Sequence, residues 1–313
     1  MPGPVRGVLL DIEGTTTPIA FVYDVLFPYA RTHLAEFLRS RWGTPEMAAA
    51  VEALREQHRL DLEMGLKPPP LPLLGVMPHS GVSGSRGDTS RGQSQGSRVL
   101  GEDASSSTAP PPNHPSFTEP PEATNPMTYA KTANQDAGRA AAEDVERTAV
   151  EAYLVWLMDN DRKVPALKSI QGKIWEEGYR SGALKGQVFD DVPPFLRECR
   201  DRRIETRIFS SGSVLAQRLL FANSEAGDLS TLLGGYYDTG VGPKSAPESY
   251  VRIASDWGLP ASVLVFVSDV AAELDAAFAA GLGTRLCIRP GNPHQPPSPH
   301  ATLHGFGELT LNP

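Results

Sequence analysis

The latter half of the chain alternates between two periodicities. Arg207-Ile208-Phe209, Val263 to Val267 and Arg285 to Ile288 are short strand-like runs, and Val214 to Phe221, Ser245 to Trp257 and Ala271 to Ala280 are helical stretches set among them. Strands separated by helices predict a parallel α/β sheet with helices on both faces. An earlier apolar run, Val5 to Leu10, stops at acids and a Gly-Thr turn and reads as a further buried strand. In such sheets ligands bind beyond the carboxyl ends of the strands. That rule gathers the loops after Leu10, Phe209 and Val267 into one place.

Between the first strand and the rest, the pattern is helical. In Phe21 to Arg41 the residues Val25, Leu26, Tyr29, Leu34, Phe37 and Leu38 recur at steps of three and four, and Met47 to Leu66 continues in the same way. From Glu143 onward, Val145, Thr148, Ala149, Ala152, Tyr153, Trp156 and Leu157 suggest an apolar stripe, followed by helical stretches at Pro165 to Glu177 and Val192 to Asp201. Twelve prolines lie between Pro68 and Pro126, flanking a Ser/Gly/Arg stretch with almost no large apolar residues. Such a segment buries too little surface to offset its conformational entropy. The expected organisation is a catalytic core over 1–20 and 190–313, a helical cap over 21–67 and 143–189, and a disordered insertion over 68–142.

The strand ends carry chemistry. Asp11 and Glu13 are two apart on an extended strand end and point the same way, so one can serve as nucleophile or metal ligand while the other exchanges a proton. Ser210-Ser211-Gly212-Ser213 offers hydroxyls and free N–H groups at a helix start, suited to an anion or to a plain Ser N-cap. Lys244, ahead of the Ser245 helix, can neutralise a phosphate oxygen or simply be solvated. Asp269 ends a fully apolar run, with Glu273 and Asp275 a turn later, and is placed either as a hard oxygen ligand or as a helix cap.

In this order the four elements resemble the motifs of the haloacid dehalogenase-like phosphohydrolases, over about residues 5–40 and 200–290. More narrowly, the chain resembles the enolase-phosphatases of methionine salvage. Glu13 stands where most of the superfamily has Asp, and Asp11-Ile12-Glu13-Gly14-Thr15-Thr16-Thr17-Pro18-Ile19 is that family's form of the first motif. Ala166-Leu167-Lys168-Ser169-Ile170-Gln171-Gly172 continuing to Tyr179, then Asp191-Val192-Pro193, Phe209 to Ser213 and Arg289-Pro290-Gly291-Asn292, are also similar.

The resemblance implies a Rossmann-like core with a cap inserted after the first strand. It implies 2,3-diketo-5-(methylthio)pentyl 1-phosphate as substrate, enolised and then dephosphorylated to the acireductone through an aspartyl-phosphate on Asp11. It also implies one Mg²⁺ per subunit, held by Asp11, Asp269 and the backbone carbonyl of Glu13. Ser210, Ser211 and Lys244 would cradle the phosphate, and Glu13 is the acid/base candidate. The neighbouring reading is a Mg²⁺-dependent phosphatase of the same superfamily that acts on another small phosphate monoester without enolisation. A third reading is a non-catalytic protein whose insertion recruits partners; retention of all four motif positions speaks against it.

Composition excludes other classes. A net charge of −8 argues against broad attraction to nucleic acid or anionic lipid, and no stretch approaches a membrane span. Cys199 and Cys287 lie outside any metal-type spacing and fit reduced thiols, so a cytoplasmic protein is expected, with the nucleus as a second compartment. Family analogy adds a monomer. His294, His300 and His304, in a Pro-rich tail, are expected to be without function, and His33 and His58 to be surface or packing residues. Trp175 and Tyr179, four apart on one helical face, are core residues or contacts for the methylthio end of the substrate.

Overall fold

The computed structural model describes residues 4–72 and 126–311, with side chains in the second stretch from 137 onward. Contacts divide the chain into two units, Met1–Leu71 with Val145–Pro313, and Pro72–Asp144. In the second unit the described residues are helical from Pro126 and carry an Arg139–Glu143 ion pair one turn apart.

The first unit holds a six-stranded sheet of β1 (Gly7–Leu10), β2 (Glu205–Phe209), β3 (Gly235–Tyr237), β4 (Leu264–Ser268), β5 (Gly283–Cys287) and β6 (Thr302–Leu303). Their order is β3-β2-β1-β4-β5-β6, and every pairing is parallel. All four residues of β1 and all five of β4 are buried, as a strand covered on both faces requires. Val8, Leu10, Val265 and Val267 pack on one face with Leu196 and Cys199 of α5 (Val192–Asp201) and Phe221 of α6 (Val214–Ala222). Leu9, Phe209 and Phe266 pack on the other with Tyr250 and Ile253 of α7 (Pro247–Trp257) and Leu274 of α8 (Ala271–Ala279). The expected α/β architecture is therefore present. The outer strands β3 and β6 are three and two residues long, too short to show a period of two in sequence.

Between β1 and β2 the chain builds helices. A π-helical turn, Phe21–Leu26, runs into α1 (Phe27–Arg41); Pro28 has no N–H for an α-register bond, and the register changes there. α2 (Pro45–Glu63) starts at Thr44, whose hydroxyl accepts from Met47 N–H at 3.2 Å. α3 (Pro126–Asp159) and α4 (Pro165–Ser181) follow, and α4 ends at Gly182 in the left-handed conformation, φ 77°.

Three expectations are corrected. Helix begins at Pro126 instead of near Glu143, so 126–142 of the expected disordered insertion is helical, while 73–125 lies outside the described residues. The apolar face of α3 is rotated as well: Val150, Tyr153, Leu154 and Leu157 are buried, whereas Val145 is 65% exposed. Apolar residues fill two adjacent stripes of this helix, and packing selected the one that joins the core cluster with Leu34 and Leu54. His300 is not a free tail residue. It is buried, with Nδ1 2.8 Å from Thr284 Oγ1 and Nε2 3.0 Å from Asp275 Oδ1, and it ties the segment before β6 to β5 and α8. His294 and His304 are exposed, and His33 and His58 make local contacts to backbone carbonyls. No helix among the described residues is long and apolar enough to cross a membrane.

Candidate active site

Sheet register sets the site. Leu10 pairs with Ile208 of β2 and with Val267 of β4, so the next residue, Asp11, emerges between the loops that carry Ser210 and Asp269. Its N–H donates to Val267 O at 3.0 Å, holding the backbone at the point where the strand order turns back on itself.

The Asp11 carboxylate is held from several sides. Oδ1 accepts from Ile12 N–H at 2.8 Å and lies 2.7 Å from Lys244 Nζ, while Oδ2 accepts from Ser268 Oγ at 3.2 Å. The Lys244 ammonium also lies 2.6 Å from Glu273 Oε2. Burial works against the charge on Lys244, but Asp11 and Glu273 outweigh it and hold its pKa above the usual lysine value. Phe209 and Phe266 flank the ammonium with ring centroids at 5.9 and 6.0 Å. Tyr250 donates to the Lys244 carbonyl at 2.7 Å and fixes its backbone.

Asp269 is 5% exposed, and burial, reinforced by Asp11, pushes its pKa up to about 7. Burial and Asp11 likewise raise Glu13, and Glu273 is raised by the same two causes. Asp269 is not a helix cap, because α8 starts after Val270 without a side-chain cap bond. Gly14 has φ 67°, and a Cβ there would lie 2.3 Å from Asp269 Oδ2 and 2.9 Å from Asn292 Oδ1. Asn292 Nδ2 donates to Gly14 O at 2.9 Å, yet its Oδ1 is buried with no hydrogen-bond partner among the described residues. Carboxylates with raised pKa beside an orphaned amide oxygen form a donor set that a hard cation would satisfy. Among the described residues no three Asp, Glu, His or Cys side chains form a cluster able to hold a metal. A cation there therefore needs a main-chain or amide oxygen in addition to the carboxylates.

The hydroxyl loop divides its work. Ser213 is the N-cap of α6 and accepts from Ala216 N–H at 3.3 Å, so the plain capping reading applies to that serine. Ser210 Oγ accepts from Gly212 N–H at 3.1 Å, and Gln217 Nε2 donates to Gly212 O and Tyr237 O at 2.7 and 2.9 Å, which fixes the shape of the loop.

Ser210 and Ser211 open onto a cavity of about 430 Å³. Glu13, Lys168, Arg31, Asp161, Arg162 and Lys163 give the lining charge, and Val22, Leu26, Phe27, Leu157, Trp175 and Leu220 give it apolar surface. Asp11, Lys244 and Asp269 are outside this lining, and Ile12 and Glu13, next to Asp11, connect the two. The structure thus groups Asp11 with Lys244 and Asp269, and Glu13 with Ser210 and Ser211. Trp175 faces the cavity and donates to Leu26 O at 2.8 Å, whereas Tyr179 packs in the core outside it.

Two residues went unassigned in the sequence reading. Glu273 follows Asp269 by one helical turn, and that spacing was its signal. Lys168, Gln171 and Trp175 lie on one face of α4 at steps of three and four and all line the cavity. Lys168 Nζ donates to Ser211 O at 2.9 Å and to Thr239 Oγ1 at 3.2 Å. Nothing in the sequence distinguished it from a solvated lysine.

A carboxylate at the end of the central strand, an opposing buried acid, a lysine and a hydroxyl loop define a phosphoryl-transfer site of the haloacid dehalogenase-like class, and the model of haloacid dehalogenase-like hydrolases matches residues 97–281. The chain is 38% identical to an enolase-phosphatase E1 of Synechococcus elongatus, over 99% of both chains, and 32% identical to one from Salmo salar, over 93% of this chain and 88% of the relative. The crystal structure of the Saccharomyces cerevisiae UTR4 protein superposes with a TM-score of 0.61 at 25% identity, covering 97% of this chain and 100% of that one. The chain belongs to the enolase-phosphatase E1 family of these hydrolases.

Proposed function

We propose that the chain converts 2,3-diketo-5-(methylthio)pentyl 1-phosphate to the acireductone and phosphate, in methionine salvage, with Asp11 as nucleophile. The observation that carries the proposal is a buried carboxylate at a strand end, Asp11, two residues before Glu13 in the wall of a cavity lined both by Ser210, Ser211 and charged groups and by apolar side chains that include Trp175. A substrate with a phosphate and a thioether arm matches that mixed lining.

Ser210 and Ser211 hold the phosphate oxygens through hydroxyl and N–H groups. The Asp11 carboxylate, fixed by Ile12 N–H and Ser268, attacks phosphorus. Glu13, whose pKa is raised by burial and by Asp11, protonates the departing ester oxygen. Water then cleaves the aspartyl-phosphate, with Glu13 taking its proton. Lys244 neutralises charge at Asp11 and at the phosphate as the bond order changes. Mg²⁺ fits the oxygen set of Asp11, Asp269 and the Glu13 carbonyl, with Asn292 Oδ1 close by. When bound it would supply electrostatic screening between the nucleophile and the ester. Residues 21–67 and 143–189 act as the cap that closes the cavity, and the protein works as a monomer in the cytoplasm.

The test is to supply the diketo phosphate with Mg²⁺ and follow enediol absorbance and phosphate together. A transient enol preceding phosphate release is expected. Phosphate without the enol would point to a simple phosphatase instead.

A further inference from the structure

Enolisation needs a group that accepts a proton from carbon, and the phosphoryl-transfer residues are already engaged. We propose that Lys168 is that group: its amine takes the proton from the phosphate-bearing carbon and returns it to the neighbouring carbonyl oxygen. This rests on the enolase-phosphatase reading and extends it to the half-reaction that the acids do not explain.

The chemistry places the base. The proton to be lost sits on C1, flanked by the C2 carbonyl and the ester oxygen, and C1 is two bonds from phosphorus. Once the phosphate rests on Ser210 and Ser211, the base must come from just beside that loop. Lys168 reaches it from α4, with Nζ 2.9 Å from Ser211 O, and it lines the same cavity as Glu13 and Trp175.

Of the other cations of the cavity wall, two are held in ion pairs and the third is exposed to solvent, where a lysine is charged near pH 7. Arg31 is paired with Asp159, Arg162 donates to Asp61 Oδ1 at 2.6 Å, and Lys163 is exposed and lies 3.9 Å from Asp161 Oδ2. Lys168 instead bonds two neutral oxygens, Ser211 O and Thr239 Oγ1. Burial lowers its pKa; Asp238, in the loop after β3, opposes the shift, and Lys163, in the loop before α4, adds to it. The sign is the useful one, since a lowered value enlarges the neutral amine fraction near pH 7.

In the step, the C1–H electron pair becomes the C1–C2 π bond, and the proton moves to Nζ. The π pair of the C2 carbonyl moves to its oxygen, which then takes the proton back from the Lys168 ammonium. Lysine ends neutral, and the enol phosphate remains in place for attack by Asp11.

The experiment compares full-length Lys168→Ala and Lys168→Arg with the wild type in Mg²⁺. Enol formation and deuterium uptake at C1 are read from the diketo phosphate, and phosphoryl transfer alone from p-nitrophenyl phosphate. For Lys168→Ala, enol formation is expected to fall at least about a hundredfold more than p-nitrophenyl phosphate hydrolysis, the range of a lost general base. Added ethylamine is expected to restore part of it, increasingly as pH rises towards the amine's pKa, and to leave Lys168→Arg unrescued. Equal losses in the two assays, near-normal enol formation, or no amine rescue would each overturn the assignment. A wild type that releases phosphate from the diketo ester with no enol and no deuterium uptake overturns the underlying reading first.

Discussion

Lys244 Nζ lies 2.7 Å from the carboxylate of Asp11 in a site where both side chains are almost fully buried, at 10% and 6% exposure. The ammonium is shared with Glu273, at 2.6 Å, so one cation faces two carboxylates and Asp269 adds a third acid nearby. A surface ion pair of this length contributes little, but a buried one is costly to break because the surviving charge has no solvent.

Lys244→Ala should therefore destabilise the fold by about 3–5 kcal/mol, read from urea denaturation. The double variant Lys244→Ala with Glu273→Gln should lose less than the sum of the single changes, because the second removes a charge that the first left unpaired. Strict additivity would mean that the three groups do not act as one network.

Asp11→Asn keeps the shape of the side chain and removes its nucleophilic charge. Phosphatase activity should drop by at least about a thousandfold, as for other nucleophile deletions, with an unchanged circular dichroism spectrum. Activity surviving in the presence of Mg²⁺ would rule out an aspartyl-phosphate.

The raised pKa of Asp269 has a thermodynamic consequence. Its value is about 7 in the folded chain, against 3.8 for the free side chain. The stability it contributes is complete below pH 3.8 and is lost as pH rises through 7, because burial disfavours the ionised form only in the folded state. The metal-free protein should lose Tm between pH 5 and pH 8. Mg²⁺ should raise Tm more at pH 8 than at pH 5, since it binds the ionised acid. Thermal scans at both pH values with and without Mg²⁺ or EDTA check this, and a larger Mg²⁺ effect at the lower pH would contradict it.

Trp175→Phe removes the donor to Leu26 O and reduces the apolar lining of the cavity. KM for the diketo phosphate should rise several-fold, while KM for p-nitrophenyl phosphate, which lacks the thioether arm, should move little. Losing one well-packed apolar contact in a pocket costs about 1–3 kcal/mol. Equal changes for the two substrates would place Trp175 in the scaffold alone.

Much of the fold was legible because parallel sheets leave a simple signature. Val263 to Val267 is apolar on both faces and reads as buried without any partner being known, and Ser213 beside Val214 marks a helix start. The rotated face of α3 was not legible: Val145 and Val150 are equally apolar, and only the neighbours packed against the helix decide between them. In the site, Asp11, Glu13, Ser210 and Asp269 were found because each occupies a strand end. Asn292 appeared only as part of a similar stretch, with no sign that its Oδ1 would be buried and unpaired.

By itself, the sequence determined the parallel α/β architecture, the order of the four motifs and the Glu at position 13. These are local properties: periodicity, burial preference and spacing along one chain. The tertiary structure decided what depends on distance between residues far apart in the chain. It set Lys244 between Asp11 and Glu273, buried Asp269 near Asp11 so that its pKa rises, and brought Lys168 of α4 onto Ser211. Charge interactions and desolvation act through space, so the acidity of Asp269 and the reach of Lys168 become defined only when the strands and helices have packed.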